Sequence, residues 1–340
     1  MSTMQSRAEA PPARVRQHRL RGVLEFLLTY NFVVIFLVVV VIATFLSSNF
    51  LTFTNISNLF QQAAVVGIVA VGMTFVVLTG NIDLSVGSMT ALTGMVVALL
   101  LSRGVNPALA VAATIVVGTV GGASMGAITA FARVPSFIVT LAGLVSLRGI
   151  TYLISEGTPI GNLPPAFGVI GSLQVPVFPG VAVPLMGLAF VGVCIVAGVF
   201  LHQTTFGEYI YATGGNAEAA RLSGLPTKWV VTTVFAVSGL LAAIAGVLLT
   251  SRLTIGQPTA AQGLELDAIA AVVLGGTSLF GGRGGVVGTL VAVMLLQVLR
   301  NIFNLLGLGS FYQMTVTGVI IIIMAILLNR LIDHYAGREK

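Results

Sequence analysis

The side chains able to do chemistry in this chain of 340 residues are sparse: 16 lysines and arginines, 10 acids, 3 histidines and 1 cysteine. Their spacing excludes more than it offers. His18, His202 and His334 stand far apart, with no HExxH, Cys/His or Ser/His arrangement, so no catalytic or metal-ligating residue is assigned. Lys228 follows Thr227 rather than a glycine, so the chain has no Gly-Lys-Ser/Thr phosphate loop and does not hydrolyse ATP itself. No cofactor is called for. Cys194 lies in an apolar run, reads as a small buried side chain, and has no partner for a disulfide within the chain.

Three places remain. Residues 204–229, TTFGEYIYATGGNAEAARLSGLPTKW, gather Glu208, Glu218, Arg221 and Lys228 between two long apolar tracts. Within them Asn216 is a good helix N-cap, Glu218 sits in a first turn where the helix dipole favours an acid, Gly224 is a fitting stop and Pro226 follows it. Ala217, Ala219 and Ala220 leave a smooth side. The pattern predicts a helix of roughly 10 Å, too short to be stable alone in water, which must therefore dock on something. Asp83, in GNIDLSVGS, admits two readings: it or Ser85 caps the following helix, which is the simpler one, or it is an acid near membrane depth that serves a function such as a proton or sodium site. Glu265 and Asp267 read as acids in the first turn of their own helix. Arg148 lies well inside an apolar tract, where it either snorkels outward, the blander reading, or turns inward to donate to a polar cargo.

The elements that carry these residues are membrane spans. Hydrophobic residues make up 56% of the chain and charged ones 8%, far below the quarter expected of a soluble domain. The expected architecture is an all-α integral membrane protein of about ten helices, at 23–46, 56–79, 85–101, 108–132, 136–155, 181–202, 230–250, 266–280, 285–299 and 311–328. The tracts 266–280 and 285–299 are short and joined by FGGRGG, so re-entrant helices are an open alternative there. Residues 1–22, with Arg7, Arg14, Arg16, Arg19 and Arg21, read as a disordered basic tail, 23–329 as the membrane domain and 330–340 as a second tail.

An even count with the N-terminus inside puts Asp83, Arg133, 204–229, Arg283, Arg330, Arg338 and Lys340 on the cytoplasmic side. Only Arg103, Arg252 and Arg300 then fall outside, as the positive-inside rule favours. The same rule accounts for the net charge of +6 without nucleic acid, since the cations form no stripe with interleaved aromatics. Gly118, Gly122 and Gly126 recur every fourth residue and make a stripe where another backbone can approach. The loop 156–180 is Pro-rich and nearly uncharged, and is expected to pack as a short helix or cap on the pore, or to dock a partner. A weak internal echo superposes Gly80 on Gly281, Gly87 on Gly288 and Ala91 on Ala292, which would make the two loops equivalent positions on one face.

The segment Glu218-Ala219-Ala220, three residues, then Gly224 resembles the EAA...G loop of bacterial ABC importer permeases. With GNIDLSVGSM at 80–89, RGITYLISEGTPI at 148–160, GGNAEAARLSG at 214–224 and LELDAIAAVVLGGTSLFGGRGGVVGTL at 264–290, the chain after Phe50 is similar to the ribose, xylose, arabinose and galactose permease family. This resemblance implies a fold like that of the vitamin B12 importer (type II) permeases, although the longer maltose-type motif does not continue after Gly224. It implies a multi-pass protein of the bacterial inner membrane, paired with a second permease copy or paralogue and surrounded by lipid. Its other implied partners are an ABC ATPase subunit inside and a periplasmic sugar-binding protein outside. Asn216, Glu218, Ala219, Ala220, Arg221 and Gly224 would couple to the ATPase, and Asp83, Ser85 and Arg148 are candidates for the path or its gate. A stand-alone sugar transporter or facilitator is the competing class, since the residues alone do not exclude it.

Overall fold

The computed structural model describes residues 31–178 and 181–309, together with 311–316, 318, 319 and 322. The tails 1–22 and 330–340, the start of the first expected helix and most of the last one lie outside the described residues. Helix α1 is Asn31–Leu46, α2 Phe53–Leu78, α3 Val86–Ser102, α4 Pro107–Phe131, α5 Ser136–Ser155 and α6 Pro165–Ser172. A hairpin of β1 (Gln174–Phe178) and β2 (Val181–Pro184) leads to α7 (Leu185–Gln203), α8 (Thr205–Gly215) and α9 (Ala217–Leu222). Then come α10 (Thr227–Leu253), α11 (Leu264–Leu274) and α12 (Val286–Leu305). Six of these, α2, α4, α5, α7, α10 and α12, are long and apolar enough to cross a membrane.

The expected helix 136–155 is found with both ends where the sequence puts them. Two departures have local causes. The tract expected to run helical to Phe280 stops at Leu274, because Gly275 packs on the backbone of Gly288 and Gly276 turns to φ +83. Eleven residues rise only about 16 Å, so α11 does not cross a bilayer by itself. The tract expected to be helical from 181 starts at Leu185, since 181–184 pairs with β1 instead. The nearly uncharged loop does contain a short helix packed on α10: Phe167 of α6 is buried, and Gly171 donates its N–H to Ser251 Oγ of α10 at 2.8 Å while Ser251 donates to the Phe167 carbonyl.

The core is built on α10, which lies against α4, α2 and α3. Its crossing with α4 is a glycine crossing. A Cβ on Gly122 would fall 2.2 Å from the Phe235 carbonyl, and one on Gly239 would fall 2.2 Å from the Gly118 carbonyl. The stripe Gly118, Gly122, Gly126 therefore meets Phe235, Gly239 and Thr232, backbone on backbone.

Two connections run along the depth of the bundle instead of staying at one end, 79–85 with Thr79, Asp83 and Ser85 buried and 254–263 with Gly256 and Pro258 buried and Thr254, Thr259 and Gln262 exposed. The stretch 79–85 begins beside the end of α8 and climbs until Asp83 reaches Ser238, eleven residues up α10 and so about 16 Å from that helix's start. Ser85 Cβ lies where Gly143, seven residues up α5, leaves room for it. Helix α3 thus starts deep in the bundle, deeper than the loop position that the sequence suggests for Asp83 and Ser85. The second stretch, 254–263, enters from the opposite face. Gly256 pairs with Ile160 and packs on Ala98 of α3, while Ala261 and Glu265 lie against Gly87, at α3's other end. Two helices, α3 and α11, consequently begin in the interior with their N-termini side by side.

Gly122→Val should lower the unfolding midpoint in detergent by an amount worth about 1–3 kcal/mol, the usual cost of overpacking. Gly192→Ala on α7, where an added Cβ meets nothing within 4 Å, should not lower it, since alanine is the better helix former.

Candidate functional site

The interior junction is organised by Asp83, only 2% exposed. Its Oδ1 accepts the N–H of Ser85 at 3.0 Å and the hydroxyl of Ser85 at 2.6 Å, and its Oδ2 accepts the hydroxyl of Ser238 at 2.9 Å. The expected helix cap is not formed: Ser85, the residue before Val86, makes no side-chain cap hydrogen bond, and Asp83 accepts instead from Ser85 itself and from a distant donor on α10. Burying a carboxyl is tolerable when its oxygens are hydrogen-bonded in this way. Arg148 does not snorkel. Its Nη1 donates to the carbonyls of Pro258 at 3.0 Å and Ala260 at 2.8 Å, which ties α5 to the second interior stretch. These carbonyls belong to no helix and would otherwise lack partners. Glu265, in the first turn of α11, reaches Gly87, where a Cβ would fall 2.1 Å from its Oε2. Gly87 is what admits α11 to α3. Asp83 and Ser85 therefore stand together and Arg148 supports the neighbouring stretch. Glu265, read as a dipole acid only, is an additional member that a pattern of local spacing does not single out. Asp267 pairs with Arg300 of α12.

The second assembly lies at the other end of the 79–85 stretch. Thr204 caps α8 by accepting from Gly207 N at 3.1 Å, and Asn216 ends α8 and starts α9 at once. Its N–H goes back to the Ala212 carbonyl at 3.2 Å and its Oδ1 accepts from Ala219 N at 2.9 Å. Helix α9 closes with Gly224 at φ +86: Leu225 N donates to the Ala220 carbonyl and Gly224 N to the Arg221 carbonyl, both at 3.0 Å. This paired 6→1 and 5→2 closure satisfies the last carbonyls. The expected cap, helix and stop are all present.

Ala220 is buried against the fold, while Glu218, Ala219, Arg221 and Gly224 face outward. Arg221 grips Glu218 by two nitrogens, at 3.0 and 2.6 Å, and this holds the Glu218 carboxyl below its ordinary value. Two apolar side chains stand beside them, Leu222 at 72% exposed and Trp229 at 63%. Neither stands out in the sequence, where charge draws attention first. Trp229 meets Phe131 edge-on at 5.5 Å, Lys228 lies 5.3 Å over the same ring, and Arg133 is near enough to favour the Glu218 charge. The segment 131–133 thus flanks α9. Among the described residues no group of three His, Cys, Asp or Glu side chains comes together to hold a metal.

A helical bundle with interior helix starts, close glycine crossings and a short exposed helix between two spans is the frame of a membrane transport permease. Residues 55–325 match the family described as the permease component of branched-chain amino acid transport systems, and the chain belongs to that family; it is not an enzyme by itself. Among its relatives, the ribose import permease protein RbsC of Escherichia coli strain K12 is 46% identical over 301 residues, 86% of this chain and 91% of the relative. RbsC of Bacillus subtilis strain 168 is 45% identical over 297 residues, 86% and 90% of the two chains. The xylose transport system permease protein XylH of Escherichia coli strain K12 is 37% identical over 331 residues, 81% and 84%. The resemblance drawn from the motifs is met. No solved structure matches the chain.

Ser238→Ala leaves Oδ2 of the buried Asp83 carboxyl without its donor and should cost about 1–3 kcal/mol of stability, the range for a buried acceptor left unsatisfied. Thermal unfolding of the purified protein measures it. Thr232→Ala, an exposed hydroxyl on the same helix that bonds only the Lys228 carbonyl, should change little.

Proposed function

We propose that this chain is the permease subunit of an ATP-driven ABC importer for a monosaccharide or related small polyol. It forms the translocation path and couples to a separate ATPase chain. The observation that carries the reading is α9: a capped, outward-facing helix of six residues with no fold of its own to bury it, in a chain that matches sugar import permeases along most of its length. Such a helix gains its stability from tertiary contacts. With Leu222 and Trp229 exposed beside Glu218, Ala219, Arg221 and Gly224, it suits a groove on another chain, and the ATPase that this chain lacks is the partner of the right kind.

In this reading the α9 face is cytoplasmic and the N-terminus lies inside, in the bacterial inner membrane with its lipid. The full membrane domain runs over 23–329, between a basic tail at 1–22 and a second tail at 330–340. It has about ten helices in the type II arrangement. A second permease copy or paralogue completes the path, and a periplasmic sugar-binding protein delivers cargo from the other face. The even parity is supported by the grouping of 79–85, 131–133, 204–229 and 275–285 near α9, with 156–178 and 252–260 gathered at the opposite end. Asp83, Ser85 and Arg148 act at the gate. They are already engaged with protein groups, so they hold interior stretches in place rather than clasp a sugar. A transient path of this kind needs weak, exchangeable contacts for its cargo.

ATP binding closes the partner ATPases, α9 moves with its ATPase half, and the pair of permeases shifts between outward and inward openings. Gly224→Val, which forces a branched side chain to φ +86, should strain the end of α9 and lower both uptake and binding-protein-stimulated ATP hydrolysis in the reconstituted complex. Uptake by the purified permease alone, without ATPase or ATP, would contradict the proposal. The sugar is identified by thermal stabilisation of the cognate binding protein across a panel of pentoses, hexoses and inositol.

A further inference from the structure

The docking helix is joined to the interior through a contact made almost entirely of backbone. At the end of α8, Gly214 lies so close to α2 that a Cβ would fall 1.8 Å from the Leu78 carbonyl and 2.6 Å from Gly282 N. The Leu78 carbonyl accepts the N–H of Gly282 at 2.9 Å. Gly281 backs onto both partners: its Cβ would lie 2.8 Å from the Gly214 carbonyl and 2.8 Å from Gly80 N. Tyr211, on the same helix, donates its hydroxyl to the Gly284 carbonyl at 2.9 Å. Gly80 and Gly281, the positions paired by the internal echo, both take left-handed φ, +73 and +84, and they touch.

This junction fuses three segments: the last turn of α8, the end of α2 and the loop before α12. No linker separates it from α9, because Asn216 is the last cap of one helix and the first cap of the next. From Gly80 the chain leads in three residues to Asp83, the organiser of α3's start. The route through α10 is stiffer, since that helix is clasped by α4 along its glycine crossing. The stretch 79–85 has no regular structure and is the direct connection between the junction and the start of α3.

We propose that the Gly214–Leu78–Gly282 junction carries the displacement of the docking helix to the interior, moving the 79–85 stretch and with it Asp83 and the N-terminus of α3. Gly214, Gly281, Gly282 and Tyr211 are its positioning residues. None of them belongs to α9. Backbones in direct contact, with no side chain to reorient between them, pass on a shift where a layer of flexible side chains would absorb it. The inference rests on the reading of α9 as the ATPase-docking element.

The test uses the whole complex, purified through its ATPase partner so that only assembled material is scored, in liposomes with the cognate binding protein. The readout is sugar taken up per ATP hydrolysed. Gly214→Ala should keep ATP hydrolysis while lowering this ratio roughly tenfold, the size of an ordinary coupling between two sites. Gly215→Ala, one residue on, where an added Cβ meets nothing within 4 Å, should match the unmodified complex. An unchanged ratio in Gly214→Ala, or an equal loss in Gly215→Ala, overturns the proposal. Should Gly214→Ala not assemble, Tyr211→Phe decides, because it removes only one hydroxyl: a lowered ratio supports the junction and an unchanged one refutes it. Failure of the underlying reading has a different signature, in which the unmodified chain forms no complex with an ATPase or transports without ATP.

Discussion

Every backbone N–H and C=O that enters the hydrocarbon without a helix around it must find a partner in protein, because the bilayer offers none. Most of this bundle meets that requirement by being helical. The two stretches that are not helical, 79–85 and 254–263, fix what surrounds them. Asp83 takes up the Ser85 amide, Ser136 takes up the Ile82 amide at 3.2 Å, and Arg148 covers the carbonyls of Pro258 and Ala260. Charged and polar residues that look out of place in an apolar chain are there because irregular backbone is there.

Glycine makes this arrangement possible in space. Irregular chain is tolerated at depth only when wrapped by protein, and wrapping it demands that helices approach more closely than side chains allow. Gly143 makes room for Ser85, Gly87 for Ala261 and Glu265, and Gly256 for Ala98. At the α9 end the same device joins α8 to two loops. The positions differ in what they would tolerate. Gly149 and Gly192 open onto free space, whereas Gly214 and Gly288 would set a Cβ less than 2 Å from a carbonyl oxygen. Abundance of glycine alone does not separate these cases.

The long spans were legible in the sequence because length and hydropathy decide them, and Ser136–Ser155 is read to the residue. Helix α9 was legible because its signals are local: Asn216, Glu218 and Gly224 lie within one short segment. Depth was not. Whether Asp83 sits at a rim or beside Ser238 depends on a helix that begins 144 residues later, and no local pattern encodes it. Helix α11 was read too long because 275–280, GGTSLF, carries no charge to mark an end, although Gly275 and Gly276 stop it through contact with Gly288 and a positive φ. Helix α8 was hidden in a polar stretch ending in two glycines, where composition favours a loop. The candidate site was thus visible as residue types in the right neighbourhoods, while their grouping into an interior junction and an exposed docking face had to come from packing.

The bond from Ser238 to Asp83 spans 155 residues of chain, and this has a bearing on how the protein is made. Chains enter the bilayer from the N-terminus, so α3 and its leading stretch emerge from the ribosome well before α10 exists. During that interval Oδ2 of Asp83 lacks its native donor and the acid is expensive to hold at depth. The 79–85 stretch can settle into its final position only after α10 has been inserted and has brought Ser238 alongside. Late in synthesis, one hydroxyl completes an arrangement begun far upstream.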